Sequence, residues 1–314
     1  MAFVKKWSDY LAYQAFGKAQ ANLPEYDPGW PDHRARALLA HLNANGILKP
    51  GQRVLDFGCH RGQFLKHLPP GQHAGLDLAP EYRSDVESLG YAYYLESSDL
   101  PESTFDFVFL LHVFEHLDFP QLLAPALKAL KPHGHVLIQV PNPFHQPTDI
   151  YLSDHRSHFS QTSLEIAARA IGLSPAAPIQ DLLPGEWTGL FVQNGSPASV
   201  AYAPVSIESV LQRLRFAETE IQAIRHRGRP VCLFGAGYTG LMLGAVLADQ
   251  LVGYIDDNTA LHGHRLLDRP VWALENAPLD PEWVLSVPPP STAKVQKRCL
   301  QVGKTPFPLF WPCT

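Results

Sequence analysis

The chain has 314 residues, 46% of them hydrophobic and 18% charged, with a formal net charge of -5. That length and balance suit a globular chain with room for two cores, and they exclude a disordered or fibrous one. The mild acidity, without any run of lysine or arginine, argues against nucleic acid as a partner.

Cys59, Cys232, Cys299 and Cys313 are scattered with no CxxC spacing, so neither a disulfide framework nor a thiolate zinc site is expected. No stretch reaches the ~18 apolar residues of a membrane span. Asp9 interrupts the N-terminus before a signal-peptide core can form, and a cytoplasmic location is the expectation.

Phe3, Trp7, Tyr10 and Leu11 fall on one helical stripe, which predicts an amphipathic helix over residues 2–16. Pro24, Pro28, Gly29 and Pro31 break the chain. Asp32 can then cap a helix whose apolar face is Ala35, Leu38, Leu39 and Leu42, with Gly46 as its stop. From Arg53 to Asn142 short apolar runs alternate with helical ones, the pattern of a parallel sheet covered on both faces. Strands are expected near 53–57, 73–77, 91–94, 105–111 and 135–140, and helices near 62–68, 81–89 and 119–130.

Within that region Val54-Leu55-Asp56-Phe57-Gly58-Cys59-His60-Arg61-Gly62 reads as a buried strand running into a glycine turn, which lets a ligand approach the backbone. The next two apolar runs end in carboxylates, Asp77 in GLDL and Asp99 in SDLP. Acceptors and glycines at successive strand ends are where a parallel sheet holds a nucleotide-like ligand.

These residues, with SDLPESTFDFVFLLHVFEHL and LKPHGHVLIQVPN, resemble the class I methyltransferases that use S-adenosylmethionine, over roughly half the chain. The resemblance implies an α/β fold, a doubly wound, mostly parallel seven-stranded sheet. It also implies that Gly58 and Gly62 line the methionine part of S-adenosyl-L-methionine, that Asp77 takes the ribose hydroxyls, and that Asp99 with the Leu100 backbone reads the adenine. Asp56, Cys59, His60, Leu78 and His112 complete the expected cofactor site. The chain departs from the family at His60, where a third glycine is usual.

Glu115-His116 follows the fourth strand and reads either as an acid–base pair or as a pocket corner, with His116 set among the substrate contacts. The irregular stretch from Pro141 to Ser160 carries His145, Asp154, His155 and His158, and long loops of this kind often bind ligands. Asp154, His155 and His158 lie too close in sequence for a metal site and lack a distant fourth ligand, so no metal is expected. The loop resembles that of sugar C-methyltransferases acting on nucleotide-linked ketosugars. By that resemblance His155 is the base, Asp154 its charged neighbour and Tyr151 a further catalytic residue, while His145 touches substrate. The loop departs from the family pattern at Ser153, at the shortened acid Asp154 and at the displaced Tyr151. The cysteine-rich zinc domain of those enzymes has no counterpart.

A helix is expected over 163–171, a strand over 187–192 and a long helix over 206–227; the methyltransferase resemblance implies that this strand closes the sheet antiparallel. Val231-Cys232-Leu233-Phe234-Gly235-Ala236-Gly237-Tyr238-Thr239-Gly240 is then a strand followed by GxGxxG, with a second strand ending at Asp256-Asp257 and later ones at 284–287 and 307–310. This half-fold is short for a nicotinamide cofactor. It resembles the smaller Rossmann-like domain that ends the sugar methyltransferases, and Gly235, Gly237 and Gly240 would there face the diphosphate of a nucleotide sugar.

The expected organisation is a methyltransferase domain over 1–195, a connecting segment and helix over 196–227, and a Rossmann-like domain over 228–314. The expected activity is methyl transfer to a sugar, nucleotide-linked, at carbon or oxygen. Open alternatives are an O-methyltransferase of a polysaccharide or small metabolite, and a ligand-binding or assembly protein without catalysis. The partner is a small molecule. The sequence leaves the oligomeric state open.

Overall fold

The computed structural model describes residues 29–118, 120–145, 147–152, 155–183, 185–193, 206–287 and 289–309. The helix expected over 2–16, Ser153, Asp154 and Cys313 lie outside them, as do the side chains of Tyr151 and Tyr238. The chain divides into two compact units, one built mainly on residues 28–145 and 149–206 and the other on 207–314. Among the described residues no helix is long and apolar enough to cross a membrane.

The first unit is organised on a mostly parallel sheet. Strands β1 (Val54–Phe57), β2 (Ala74–Leu76), β3 (Ala92–Tyr94), β4 (Phe105–Leu111), β5 (Leu130–Pro141), β6 (Leu173–Pro175), β7 (Gln180–Leu183) and β8 (Glu186–Gln193) lie in the order β3-β2-β1-β4-β5-β8-β6. The first five are parallel. β8 closes on β5 antiparallel, as expected, and carries β6 and the side strand β7, also antiparallel. The expected seven strands thus make up the main path, and β7 is an eighth.

β4 shows why the sequence runs apolar without alternation. Phe105, Val108 and Leu110 pack into one core, and Phe107 and Phe109 into another, so both faces are covered. The helix Gly29–Ala44 sends Leu38, Leu39 and Leu42 into the second of these cores.

Two expectations need correction. No α-helix follows the glycine turn: residues 62–68 form turns and a three-residue 3-10 helix, Leu65–His67. Only six residues separate Gly62, at φ +76, from Pro69-Pro70, too few to repay helix nucleation. The strand expected near 135–140 instead begins at Leu130, with Lys131-Pro132-His133-Gly134 absorbed into β5 as an irregularity where the pairing jumps from Phe105↔Leu130 to Phe107↔His135.

The second unit holds β9 (Val231–Phe234), β10 (Leu251–Ile255), β11 (Arg265–Leu266), β12 (Arg269–Trp272), β13 (Glu282–Leu285) and β14 (Phe307–Pro308) in the order β11-β12-β10-β9-β13-β14. Every pair is parallel except β11 with β12. The helix Glu208–Arg227 buries Ala217 and Ile224 in this unit's core, and a left-handed Gly228 ends it.

Candidate active site

The chain turns sharply where β1 ends. Gly58 has φ +83, and a Cβ on it would lie 2.3 Å from Val113 Cγ2, so only glycine fits. The N–H groups of Gly58 and Cys59 donate to the Leu76 carbonyl at 2.7 and 3.1 Å, tying the turn to β2. His60 also takes a left-handed backbone, φ +47, unusual for a residue with a Cβ. Two contacts hold it there: its N–H donates to Asp77 Oδ2 at 2.9 Å, and its ring lies 4.1 Å from the Tyr82 ring. Asp77 Oδ1 accepts from the Ala79 N–H at 3.1 Å. Burial pushes the Asp77 carboxyl up, and the N–H groups of His60 and Ala79 only partly offset it.

Arg34, Asp56, Gly58, Cys59, His60, Gln63, His112 and Gln139 line a cleft of about 170 Å³ beside this turn. The Asp56 carboxyl is 3% exposed and accepts no hydrogen bond from the described residues; burial, and then the Asp77 charge, push its pKa up to about 7. Cys59 is 3% exposed. Its Sγ fills the space over Gly75, where a Cβ would come within 2.4 Å of it.

His112, left-handed at φ +57, lies at the centre of a charged group on the cleft wall. Its Nδ1 is 3.3 Å from Glu115 Oε1 and its Nε2 3.3 Å from Glu186 Oε1, and Arg34 pairs with the same Glu186 oxygen at 2.8 Å. Burial and the Arg34 charge lower the His112 pKa, but Glu115 and Glu186 outweigh them and leave it raised. Burial pushes Glu186 up, and His112 and Arg34 bring it below its usual value.

Glu115 connects this group to a second one. Its carboxylate and the imidazoles of His116 and His155 bring ligand-type atoms within 4.8 Å of one another, and a matching group is formed by Asp149, His155 and His158. Asp149 Oδ1 is 2.8 Å from His155 Nδ1, and Oδ2 is hydrogen-bonded to His158 Nδ1 at 2.7 Å. Burial raises the Asp149 carboxyl, and the two histidines more than reverse it, leaving it below the usual range.

The carboxylate of the histidine loop is therefore Asp149, which sequence reasoning passed over, while the expected Asp154 lies outside the described residues. The distant ligand-type groups that the sequence argument against a metal found missing are Glu115 and His116, brought in by the turn after β4.

Residues 30–177, which carry the turn, the cleft and, Glu186 apart, both charged groups, match the family model of a methyltransferase domain. Over those residues, a little under half of the chain, the protein is similar to methyltransferase domains. No curated protein matches the chain. Among solved structures, the 1,6-didemethyltoxoflavin-N1-methyltransferase of Burkholderia thailandensis is 20% identical, with 60% of this chain and 87% of that one covered and a TM-score of 0.44. An S-adenosylmethionine-dependent methyltransferase of Aquifex aeolicus is 19% identical, covering 54% and 100%, with a TM-score of 0.41. Another from Archaeoglobus fulgidus is 18% identical, covering 50% and 94%, with a TM-score of 0.39.

The residues beside the Gly58 turn fit S-adenosylmethionine, the methyl donor that the sequence resemblance implies. A buried carboxyl without a hydrogen-bond donor is costly, and Asp56 on the cleft wall offers the acceptor that an α-ammonium group needs. Each Asp77 oxygen accepts one protein N–H and keeps lone pairs for ribose hydroxyls. Leu78 is 40% exposed, Asp99 is exposed in the 3-10 turn Ser97–Asp99, and Leu100 turns its side chain into the core, leaving its backbone as the polar group. Gly62 is not among the residues lining the cleft; its α-hydrogen side packs on Leu89 and Val86. His145 lies apart from the histidine group, 3.1 Å from Asp181.

In the second unit the turn after β9 is held by Asp256, whose Oδ2 accepts from the Ala236 N–H at 2.6 Å. A Cβ on Gly240 would lie 1.8 Å from the Gly235 carbonyl oxygen, whereas one on Gly237 meets nothing within 4 Å.

Proposed function

We propose that the domain transfers the methyl group of S-adenosylmethionine to a sugar, nucleotide-linked, at carbon or oxygen. The observation that carries this reading is the position of His112: it lines the cofactor cleft and touches Glu115, whose carboxylate belongs to the histidine group. A proton-handling centre thus adjoins the cleft.

S-adenosylmethionine, when bound, supplies a methyl group on a sulfonium, open to in-line displacement. Asp56 holds its ammonium and Asp77 its ribose. The protein's remaining tasks are to align an acceptor, exclude water and take a proton. His158 suits the last role better than His155. Its side chain is 30% exposed against 9% for His155, and Asp149 holds its Nδ1, leaving Nε2 for the substrate. The sugar assignment is supported by the likeness of the 151–160 loop to that of the sugar C-methyltransferases and by the second unit's glycine turn, whose Gly237 stands open to a ligand.

The test is product analysis with methyl-labelled donor and a panel of nucleotide sugars, read by carbon NMR. A C–CH₃ or O–CH₃ signal on a sugar is the expected result and also separates the two acceptors. Binding of S-adenosylhomocysteine with no methylated sugar in any reaction would reject the substrate class. His158→Asn should lower turnover on the order of 10²–10⁴-fold while leaving S-adenosylhomocysteine affinity unchanged.

A further inference from the structure

Glu115 is 1% exposed, and neither of its carboxylate oxygens has a hydrogen-bond partner among the described residues. A buried carboxylate in that state needs a cation or a set of donors. His112 Nδ1 approaches Oε1 at 3.3 Å, outside hydrogen-bond alignment, and also serves Glu186 through its other nitrogen. Glu115 is also the residue whose oxygen sits with the His116 and His155 imidazoles inside 4.8 Å. The fold assembles this set from two separate stretches. The 3-10 turn Phe114–His116 supplies two members, and Arg156 and Ser157 donate their N–H groups to the Glu115 carbonyl at 2.7 and 3.1 Å, fixing the loop that carries His155 against it.

We propose that Glu115, His116 and His155 form a binding site for one divalent transition-metal ion of the zinc class. The donor set narrows the metal: two imidazoles and one carboxylate suit first-row transition ions such as zinc, cobalt or iron(II), whereas magnesium and calcium prefer oxygen alone. Asp149 supplies the supporting contact such sites require. It lies 2.8 Å from Nδ1 of His155, the kind of carboxylate neighbour that orients a ligating imidazole. Three protein ligands leave a fourth position for an acceptor oxygen.

The role of this ion rests on the methyl-transfer reading given above: it would polarise the keto or hydroxyl oxygen of the acceptor while His158 takes the proton. The proton goes to His158, the new bond forms to the methyl carbon, and the electrons of the broken C–S bond stay on sulfur. The metal site itself stands on the donor geometry and is measurable without turnover.

The full-length protein, stripped with chelator, should be titrated with Co²⁺ and followed by its visible absorption. One equivalent with bands of a nitrogen- and oxygen-ligated site, displaced by Zn²⁺, is the expected result. His116→Asn, at an exposed position, should weaken Co²⁺ binding at least tenfold, as should Glu115→Gln if it folds by circular dichroism. Asp149→Asn should weaken it roughly 10–100-fold, and His158→Asn should leave the spectrum unchanged. Absence of stoichiometric uptake, or uptake that His116→Asn leaves untouched, overturns the proposal. S-adenosylhomocysteine titrations on the same samples report the cofactor site separately, so a failed methyl-transfer reading and a failed metal site give different results.

Discussion

Asp56 lies in β1 and Asp77 just after the neighbouring β2, yet binding should act on them differently. Asp56 has a folded pKa near 7 against an ordinary 3.8, so between those values the folded chain carries a proton that the unfolded chain has released. Its contribution to stability is fully present at acid pH and is lost as pH rises through 7. An ammonium group meeting Asp56 needs the ionised form. S-adenosylhomocysteine affinity should therefore weaken up to about tenfold per pH unit below 7, with nearly one proton released per binding event at pH 6 and few at pH 8. Calorimetry in buffers of different ionisation enthalpy measures this directly, and pH-independent binding without proton release would remove Asp56 from the ammonium contact. Asp77→Ala loses charge-assisted hydrogen bonds of about 1.5–3 kcal/mol, so affinity should fall roughly ten- to a hundredfold in the same titration. Asp77 was legible as the end of an apolar run, whereas Asp56, inside β1, came only from the family resemblance. The sequence hid Asp149, which belongs to no strand end and pairs with His158 nine positions away only because the loop folds back.

At the scale of elements, the strands were legible because burial on both faces leaves long apolar runs such as 105–111, and the helix Gln161–Arg169 was legible from its apolar face. The Ser160 hydroxyl accepts from the Ser163 N–H and the Ser163 hydroxyl from the Ser160 N–H, a reciprocal cap that starts this helix two residues before its expected beginning. The glycine turns were harder to read, since one motif covers different duties. Gly240→Ala drives a Cβ into backbone and should destabilise the second unit by about 3 kcal/mol, visible as a lowered denaturation midpoint. Gly237→Ala has open space and a φ of -76, so its effect on stability should stay within about 0.5 kcal/mol. Comparable losses at both positions would contradict this division of roles.

Across the whole molecule, each unit has its own sheet and buried clusters, so ligands should leave separate signatures. S-adenosylhomocysteine at a hundred times its Kd should stabilise the first unit by about 2.7 kcal/mol. Hydrogen exchange should then slow around β1, β2 and the Gly58–Gly62 turn. A nucleoside diphosphate should slow exchange at the Gly235–Gly240 turn instead. Protection of that turn by NADH and not by the nucleoside diphosphate would reverse the assignment. The alternating pattern of the first unit made its parallel sheet readable, because strand, connection and strand return in parallel, while the strand order came only from the structure. The meeting of the β4 turn with the histidine loop was not readable, since some 40 residues separate Glu115 from His155 and only the folded sheet brings them together.

The buried thiols also equip the molecule with internal clocks. Cys59 is 3% exposed, and Cys232 and Cys299 are 0% exposed. Burial raises all three thiols, Cys232 to about 12 and Cys299 to about 11. Alkylation requires a thiolate in contact with solvent, so in the folded protein each should react only as fast as its surroundings open. In a Cys313→Ser background, mass spectrometry of timed alkylation should read the opening of the cofactor turn at Cys59 and that of the second sheet at Cys232. Bound S-adenosylhomocysteine should slow the first rate and leave the second unchanged.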